Sequence, residues 1–257
     1  MLRFRYRADG RIVEGTAESP AELDDYDLAR PVDPPEVWGA GVTYKRSLDA
    51  RMEESSAQDL YALVYGAERP ELFLKDAACR RTVGPGEPIG VRADSSWDVP
   101  EPEIVVVLGK GAELIGLTIG NDVSSRDIEG TNPLYLPQAK IFAGACAIGP
   151  AVLVPDDWEA PLEIRMRVTG GDGTELFAGE TSTERMQRSF PELVDWLFRD
   201  NPVPVKRMLP SGTGLVPPDD FTLEPGHTVE ITVPEIGTLT NPVASATELA
   251  TTRRSKG

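Results

Sequence analysis

The chain has 257 residues, 40% hydrophobic and 26% charged, the balance of an ordinary globular protein with room for one large domain or a small domain joined to a larger one. A formal net charge of −16 excludes the basic footprint that nucleic-acid binding requires and disfavours anionic membranes. An acidic protein still binds an anionic metabolite where a metal or a few basic residues reverse the sign locally.

No apolar run approaches the ~20 residues of a membrane span. The opening "MLRFRYRADG" lacks the apolar core and small-residue cleavage site of a secretory signal, so a cytoplasmic protein is expected. The two cysteines, Cys79 and Cys146, form neither a disulfide framework nor a metal-binding CxxC and read as small buried hydrophobes.

In chain order, "MLRFRYRADGRIVEG" predicts a β-hairpin turning at Asp9-Gly10, and the proline-rich "PVDPPEVWGAG" a loop leading into a short strand. "KRSLDARMEESS" is charged and weakly patterned, which suits an exposed, mobile lid or a solvated helix. Over Ala57–Tyr65, Leu60, Leu63 and Val64 fall at helical spacing. Beyond Pro70, strands are expected near 89–93, 104–108, 114–119, 147–154, 162–168, 176–180 and 228–233. "GGDG" makes a hairpin turn. Met186–Arg199 reads as a helix with Phe190, Leu193, Val194 and Leu197 on one face, and the final "TTRRSKG" as a frayed tail. The glycine clusters are not followed by helices, so they are turns rather than phosphate cradles. The pattern is α+β and β-rich, not a doubly wound nucleotide-binding fold.

The stretch "VPEPEIVVVLG" sets Glu101 and Glu103 at the mouth of a buried strand. Positions i and i+2 of a strand share a face, so the two carboxylates need something positive between them. In "TIGNDVSSRDIEG", Asp122 follows a strand and opens a turn or short helix, where it is a candidate cap, and Asp122, Arg126 and Asp127 stand one turn apart, spaced for internal pairing. Together Glu101, Glu103 and Asp122 offer three hard oxygen donors. A cation such as Mg²⁺ prefers such a set, which leaves about three coordination positions for water or substrate; Mn²⁺ accepts the same donors. With one histidine and no close cysteine pair, zinc is disfavoured.

"VPEPEIVVVLG", "LTIGNDVSSRDIEG", "AKIFAGACAIGP", "SGTG" and "HTVEITVPEIGTLTNPV" occur in the order found in the fumarylacetoacetate hydrolase superfamily, and the resemblance covers roughly Trp38 to Val243. It implies a mixed β-sandwich roll preceded by a small N-terminal domain. Residues 1–65 would form that domain with its lid segment, and 66–257 the catalytic roll. It also implies a two-fold homodimer and a Mg²⁺ or Mn²⁺ ion on Glu101, Glu103 and Asp122. Lys140 matches the family's lysine beside the metal, Arg126 the arginine of its "SARD" segment, and Thr213 a threonine that contacts the substrate carboxylate.

Hydrolases of this superfamily resemble one another in activating water with a histidine near the lid. Here "VTYKRS" places Ser47 at that point, and a serine cannot serve as the base near neutral pH. The single histidine, His227 in "LEPGHTVEI", reads as a surface turn.

"VTYKRS", "RPELFLK" and "EGTNPLYLPQAKIFAG" instead resemble the branch that dehydrates 2-keto-3-deoxy sugar acids, 2-keto-3-deoxy-D-arabinonate among them. That implies chelation of a 2-keto acid by Mg²⁺ and a metal-stabilised enolate. Loss of the C4 hydroxyl then leads, for a pentonate, to 2-oxoglutarate semialdehyde. Glu71 is the candidate base, with Lys75 four residues on. Glu129, Tyr135 and Gln138 are candidates for positioning substrate hydroxyls. Two alternatives stand beside this reading: an acylpyruvate-type hydrolase using Glu53 or Glu54 as base, and a non-catalytic 2-keto acid binding protein.

Overall fold

In the computed structural model, the backbone is described for residues 1–54, 58–202 and 207–254, and the side chains of these except 48, 50, 51, 53, 54, 58–61, 253 and 254. Two sheets pack face to face. The larger runs, strand by strand, Arg11–Ala17, Leu2–Ala8, Cys146–Leu153, Leu114–Asp122, Pro102–Leu108, Arg207–Pro210, Glu36–Gly41 and Glu71–Ala77. Leu28–Ala29 and Thr82–Val83 pair beside this path. The smaller sheet runs Glu175–Ser182, Glu163–Thr169, Thr228–Val233, Gly237–Ser245 and Ile89–Val91. This is the β-rich mixed sandwich expected from the sequence.

The Pro102–Leu108 strand explains its own composition. Ile104, Val106 and Leu108 belong to the core shared with Ile164, Met166, Val168 and Ile231 of the smaller sheet. Val105 and Val107 point the other way, into a second cluster with Val37, Ile148 and Met208. A strand buried on both faces has no polar alternation to show, hence "IVVVL".

The first 65 residues contribute strands to the same large sheet. Leu2–Ala8 pairs with Cys146–Leu153, and Glu36–Gly41 with Arg207–Pro210 and Glu71–Ala77, so hydrogen bonding is continuous across residue 65. The hairpin at Asp9-Gly10 forms as predicted, with Ala8 opposite Arg11 and positive φ at both turn residues.

Several elements depart from the sequence reading. The helix expected from Met186 begins at Phe190, capped by the Ser189 hydroxyl, which accepts from Glu192 N at 3.3 Å. Residues 186 and 187 are held extended because Met186 bridges Tyr44 and the Gln187 N–H donates to Thr43 O at 2.8 Å. The C-terminal tail is helical over Ala246–Arg254, and residues 255–257 lie outside the described residues.

The charged stretch forms the helix Lys45–Glu54, followed by Gln58–Gly66. Val64 of the second helix packs on Val42 with Met52 and Tyr65, whereas Leu63 is 69% exposed and Leu60 lies outside the described side chains. Arg188 ties this pair to the body by donating to Ala67 O and to Glu68 O (3.1 Å). Cys146 is buried as expected, but Cys79 is only partly so: it sits in a tight turn with φ of 53°.

One buried carboxylate gives the fold a pH signature. Asp98 lies in the Asp98–Val99 strand, which pairs with Ser124–Ser125, and burial pushes its carboxyl from 3.8 up to about 6. The folded state therefore favours the protonated acid. That contribution is complete below about pH 4 and is lost as pH rises through about 6. Asp98→Asn keeps the neutral form at every pH, so it should be more stable than wild type at pH 7 and converge with it near pH 4. Urea denaturation at the two pH values measures the difference.

Candidate metal centre

The site follows from antiparallel pairing. Gly120 stands opposite Glu103 and Asn121 opposite Pro102, and the Asp122 N–H donates to Glu101 O at 2.9 Å. The start of one strand and the end of its neighbour thus bring Glu101, Glu103 and Asp122 together, one carboxylate oxygen from each lying within 4.8 Å of the others. All three are buried.

Buried like charges at that separation need compensation, and three buried cations supply it. Lys140 Nζ donates to Glu101 Oε2 (2.8 Å), Asp122 Oδ2 (3.0 Å) and the Ser124 hydroxyl. Lys75 pairs with Asp122 Oδ1 and donates to Val123 O at 2.9 Å. Arg126 Nη2 lies 3.0 Å from Glu101 Oε1. Glu103 is held differently, by the Gly212 N–H at 2.7 Å. Burial, then the negative charges of Asp122 and Glu101, raise its carboxyl well above the usual range.

Three carboxylates against three cations make the centre neutral overall. An added dication would leave an excess of positive charge, which suits an anionic ligand. The donor set is all hard oxygen, as Mg²⁺ or Mn²⁺ requires.

A pocket opens on the triad. It is lined by Glu101, Asp122 and Lys140 together with Glu71, Phe73 and Glu129, and by Gly41, Ser47, Leu136, Gly212 and Thr213. Glu71 and Glu129, separated by 58 positions in sequence, therefore share the space in front of the triad. Ser47 is buried, and its hydroxyl donates to Tyr44 O at 2.8 Å. Thr213 lines the pocket, and its hydroxyl is engaged within the protein, 3.0 Å from Pro102 O and 3.1 Å from Leu215 O.

Other expected site residues lie elsewhere. Lys75 and Arg126 stand behind Asp122 and Glu101 and do not line the pocket. Tyr135 is 43% exposed and Gln138 also faces solvent; Leu136, between them, is the one that lines the site. Asp122 caps no helix: it ends the Leu114–Asp122 strand, and the helix Arg126–Thr131 starts after Ser125. Arg126 pairs with Glu101, and Asp127 accepts hydrogen bonds from Ser95 and Ser96. His227 is in a surface turn, its Nδ1 accepting from Glu224 N at 3.1 Å. The side chains of Glu53 and Glu54 lie outside the described residues.

Sequence reasoning missed Phe73, whose ring lies 5.6 Å from Lys140 Nζ. It also missed Ser124, a partner of that lysine; the signal was the polar "SS" that follows Asp122-Val123. A wider depression on the outer face of the five-stranded sheet is lined by Arg165, Arg167, Glu180 and Glu230. Its Arg167 is paired with its own Glu230 at 2.6 Å, and the depression lies apart from the triad.

Comparison with known proteins agrees with this geometry. The family model described as fumarylacetoacetate (FAA) hydrolase C-terminal matches residues 36–244. A probable 2-keto-3-deoxyxylonate dehydratase of Haloferax volcanii is 53% identical over 91% of this chain and 82% of its own length. The 2-dehydro-3-deoxy-D-arabinonate dehydratase of Saccharolobus solfataricus is 44% identical over 86% of this chain and 76% of its own. A solved 2-keto-3-deoxy-D-arabinonate dehydratase, complexed with magnesium and 2,5-dioxopentanoate, superposes with a TM-score of 0.83 at 36% identity, covering 95% of this chain and 99% of that one. The neutral carboxylate–cation centre at the strand ends thus sits in a chain that belongs to the fumarylacetoacetate hydrolase family.

Proposed function

We propose that this protein is a Mg²⁺-dependent dehydratase of a 2-keto-3-deoxy sugar acid of the pentonate type, giving 2-oxoglutarate semialdehyde. The observation that carries the reading is that Glu71 lines the same narrow pocket as Glu101 and Asp122 of the buried Glu101–Glu103–Asp122 triad. The two relatives named above are dehydratases of this substrate class.

Glu101, Glu103 and Asp122 would hold the ion. When bound, Mg²⁺ supplies Lewis-acid polarisation of the substrate's 2-keto group. The rest is done by the chain. Lys140, Lys75 and Arg126 fix the carboxylates and set the charge of the centre. Glu71 accepts the proton from C3; the C3–H electron pair forms the new carbon–carbon double bond as the C4–O bond breaks. The departing hydroxide takes up the proton that Glu71 accepted and leaves as water, which returns Glu71 to its carboxylate, and the unsaturated product tautomerises to the aldehyde. Glu129, which also lines the pocket, orients the substrate hydroxyls.

The alternative, water-driven C–C hydrolysis, lacks a histidine among the described residues of the pocket, where Ser47 is held by Tyr44. The proposal includes a cytoplasmic homodimer, as the family resemblance implies. No helix of the described residues is long and apolar enough to cross a membrane.

Stripping divalent cations tests the reading directly. Turnover of 2-keto-3-deoxy-D-arabinonate should vanish with EDTA and return with Mg²⁺ or Mn²⁺, whereas turnover that survives chelation contradicts the proposal.

A further inference from the structure

The Glu36–Gly41 strand ends in "WGAG", which puts Gly39 and Gly41 two residues apart on one face. In the antiparallel ladder they stand opposite Phe73 and Glu71. A Cβ on Gly39 would lie 2.7 Å from Phe73 Cε2. One on Gly41 would lie 2.6 Å from Glu71 Cδ and collide with Glu71 Oε2. The two side chains therefore lie across the neighbouring strand, over the glycines, instead of standing clear of it. Both line the pocket in front of the triad, as does Gly41 itself. Gly41 is not among the residues with positive φ, so what matters here is the missing Cβ and not backbone freedom.

We propose that Gly41 is a positioning residue: the space left by its absent side chain is the seat that holds the Glu71 carboxylate in front of the triad. This rests on Glu71 being the proton acceptor of the reaction proposed above. The atoms a methyl group would displace are the end of a flexible side chain, so the fold can accommodate the change by a rotamer shift. Proton transfer cannot, because misplacing a reacting group by about 1 Å costs on the order of 10²-fold in rate.

The test uses Gly41→Ala, Glu71→Gln and the double variant in the Mg²⁺-loaded full chain, assayed for kcat, KM, pH profile and urea midpoint. Gly41→Ala should lower kcat about 10- to 100-fold. It should leave KM and the urea midpoint close to wild type and move the acidic limb of the kcat profile. In the Glu71→Gln background the same alanine should change the residual rate less than about 2-fold, since no carboxylate remains to be displaced.

A wild-type kcat in Gly41→Ala, with Glu71→Gln inactive, overturns the seat and leaves the dehydratase reading standing. An equal loss in both backgrounds also overturns the seat. Full activity in Glu71→Gln overturns the reading of Glu71 and the seat with it. If Gly41→Ala does not fold, Gly41→Ala/Glu71→Ala decides: recovery of the fold places the collision at the Glu71 side chain, and continued misfolding contradicts the proposal.

Discussion

Glu71→Gln is expected to lower kcat by about 10²- to 10⁴-fold, the range that a positioned general base contributes. Stability and Mg²⁺ affinity should stay near wild type. The expectation follows from where the carboxylate stands. Glu71 begins the Glu71–Ala77 strand at the sheet's edge, half-buried, and lines the pocket without belonging to the Glu101–Glu103–Asp122 triad, so an amide of the same shape there leaves the three metal-binding carboxylates in place. Steady-state kinetics paired with Mg²⁺ titration by calorimetry separates the two properties. A variant that lost Mg²⁺ along with activity would place Glu71 in the metal's coordination instead.

Glu101→Gln should do the opposite, removing metal binding, turnover and stability together. Its carboxylate is contacted by both Lys140 and Arg126, all with side chains at most 4% exposed. Neutralising it leaves two buried cations short of a counter-charge, and breaking one partner of such a set costs about 3–5 kcal/mol. Glu103→Gln is the matched control. Among the described residues no cation pairs with Glu103, which accepts the Gly212 N–H. Loss of Mg²⁺ should therefore come with little loss of stability. Urea denaturation of the metal-free proteins reads the contrast, and equal destabilisation by the two variants would contradict the charge arrangement drawn here.

The triad was legible because strand geometry alone puts Glu101 and Glu103 on one face, and the buried run behind them marks the strand. Asp122 was legible as a third donor at a strand end, although its capping role was not borne out. The counter-charges were harder. Lys140 stood out by its apolar flank, but nothing local says that Lys75 pairs with Asp122 from an edge strand four places along the sheet, or that Arg126 reaches back to Glu101.

The Glu71–Ala77 strand was missed for the same reason. Buried Lys75 and Asp76 interrupt the apolar pattern that would have announced it, and they are buried only because distant partners satisfy them: Asp122 for the lysine, the Arg81 and Thr82 amides for the aspartate. Tyr135 and Gln138 are exposed while Leu136 between them lines the pocket, a division set by the phase of the short helix Leu136–Lys140 and the turn before it. A five-residue helix offers too little sequence for its phase to be read.

The most direct test of the central claim is proton NMR of the purified protein with Mg²⁺, given 2-keto-3-deoxy-D-arabinonate in one tube and acetylpyruvate in another. The account predicts an aldehyde signal that grows only in the first tube and is abolished by EDTA. Release of pyruvate and acetate in the second tube, with no aldehyde in the first, would contradict it and make the protein a C–C hydrolase whose base is not Glu71.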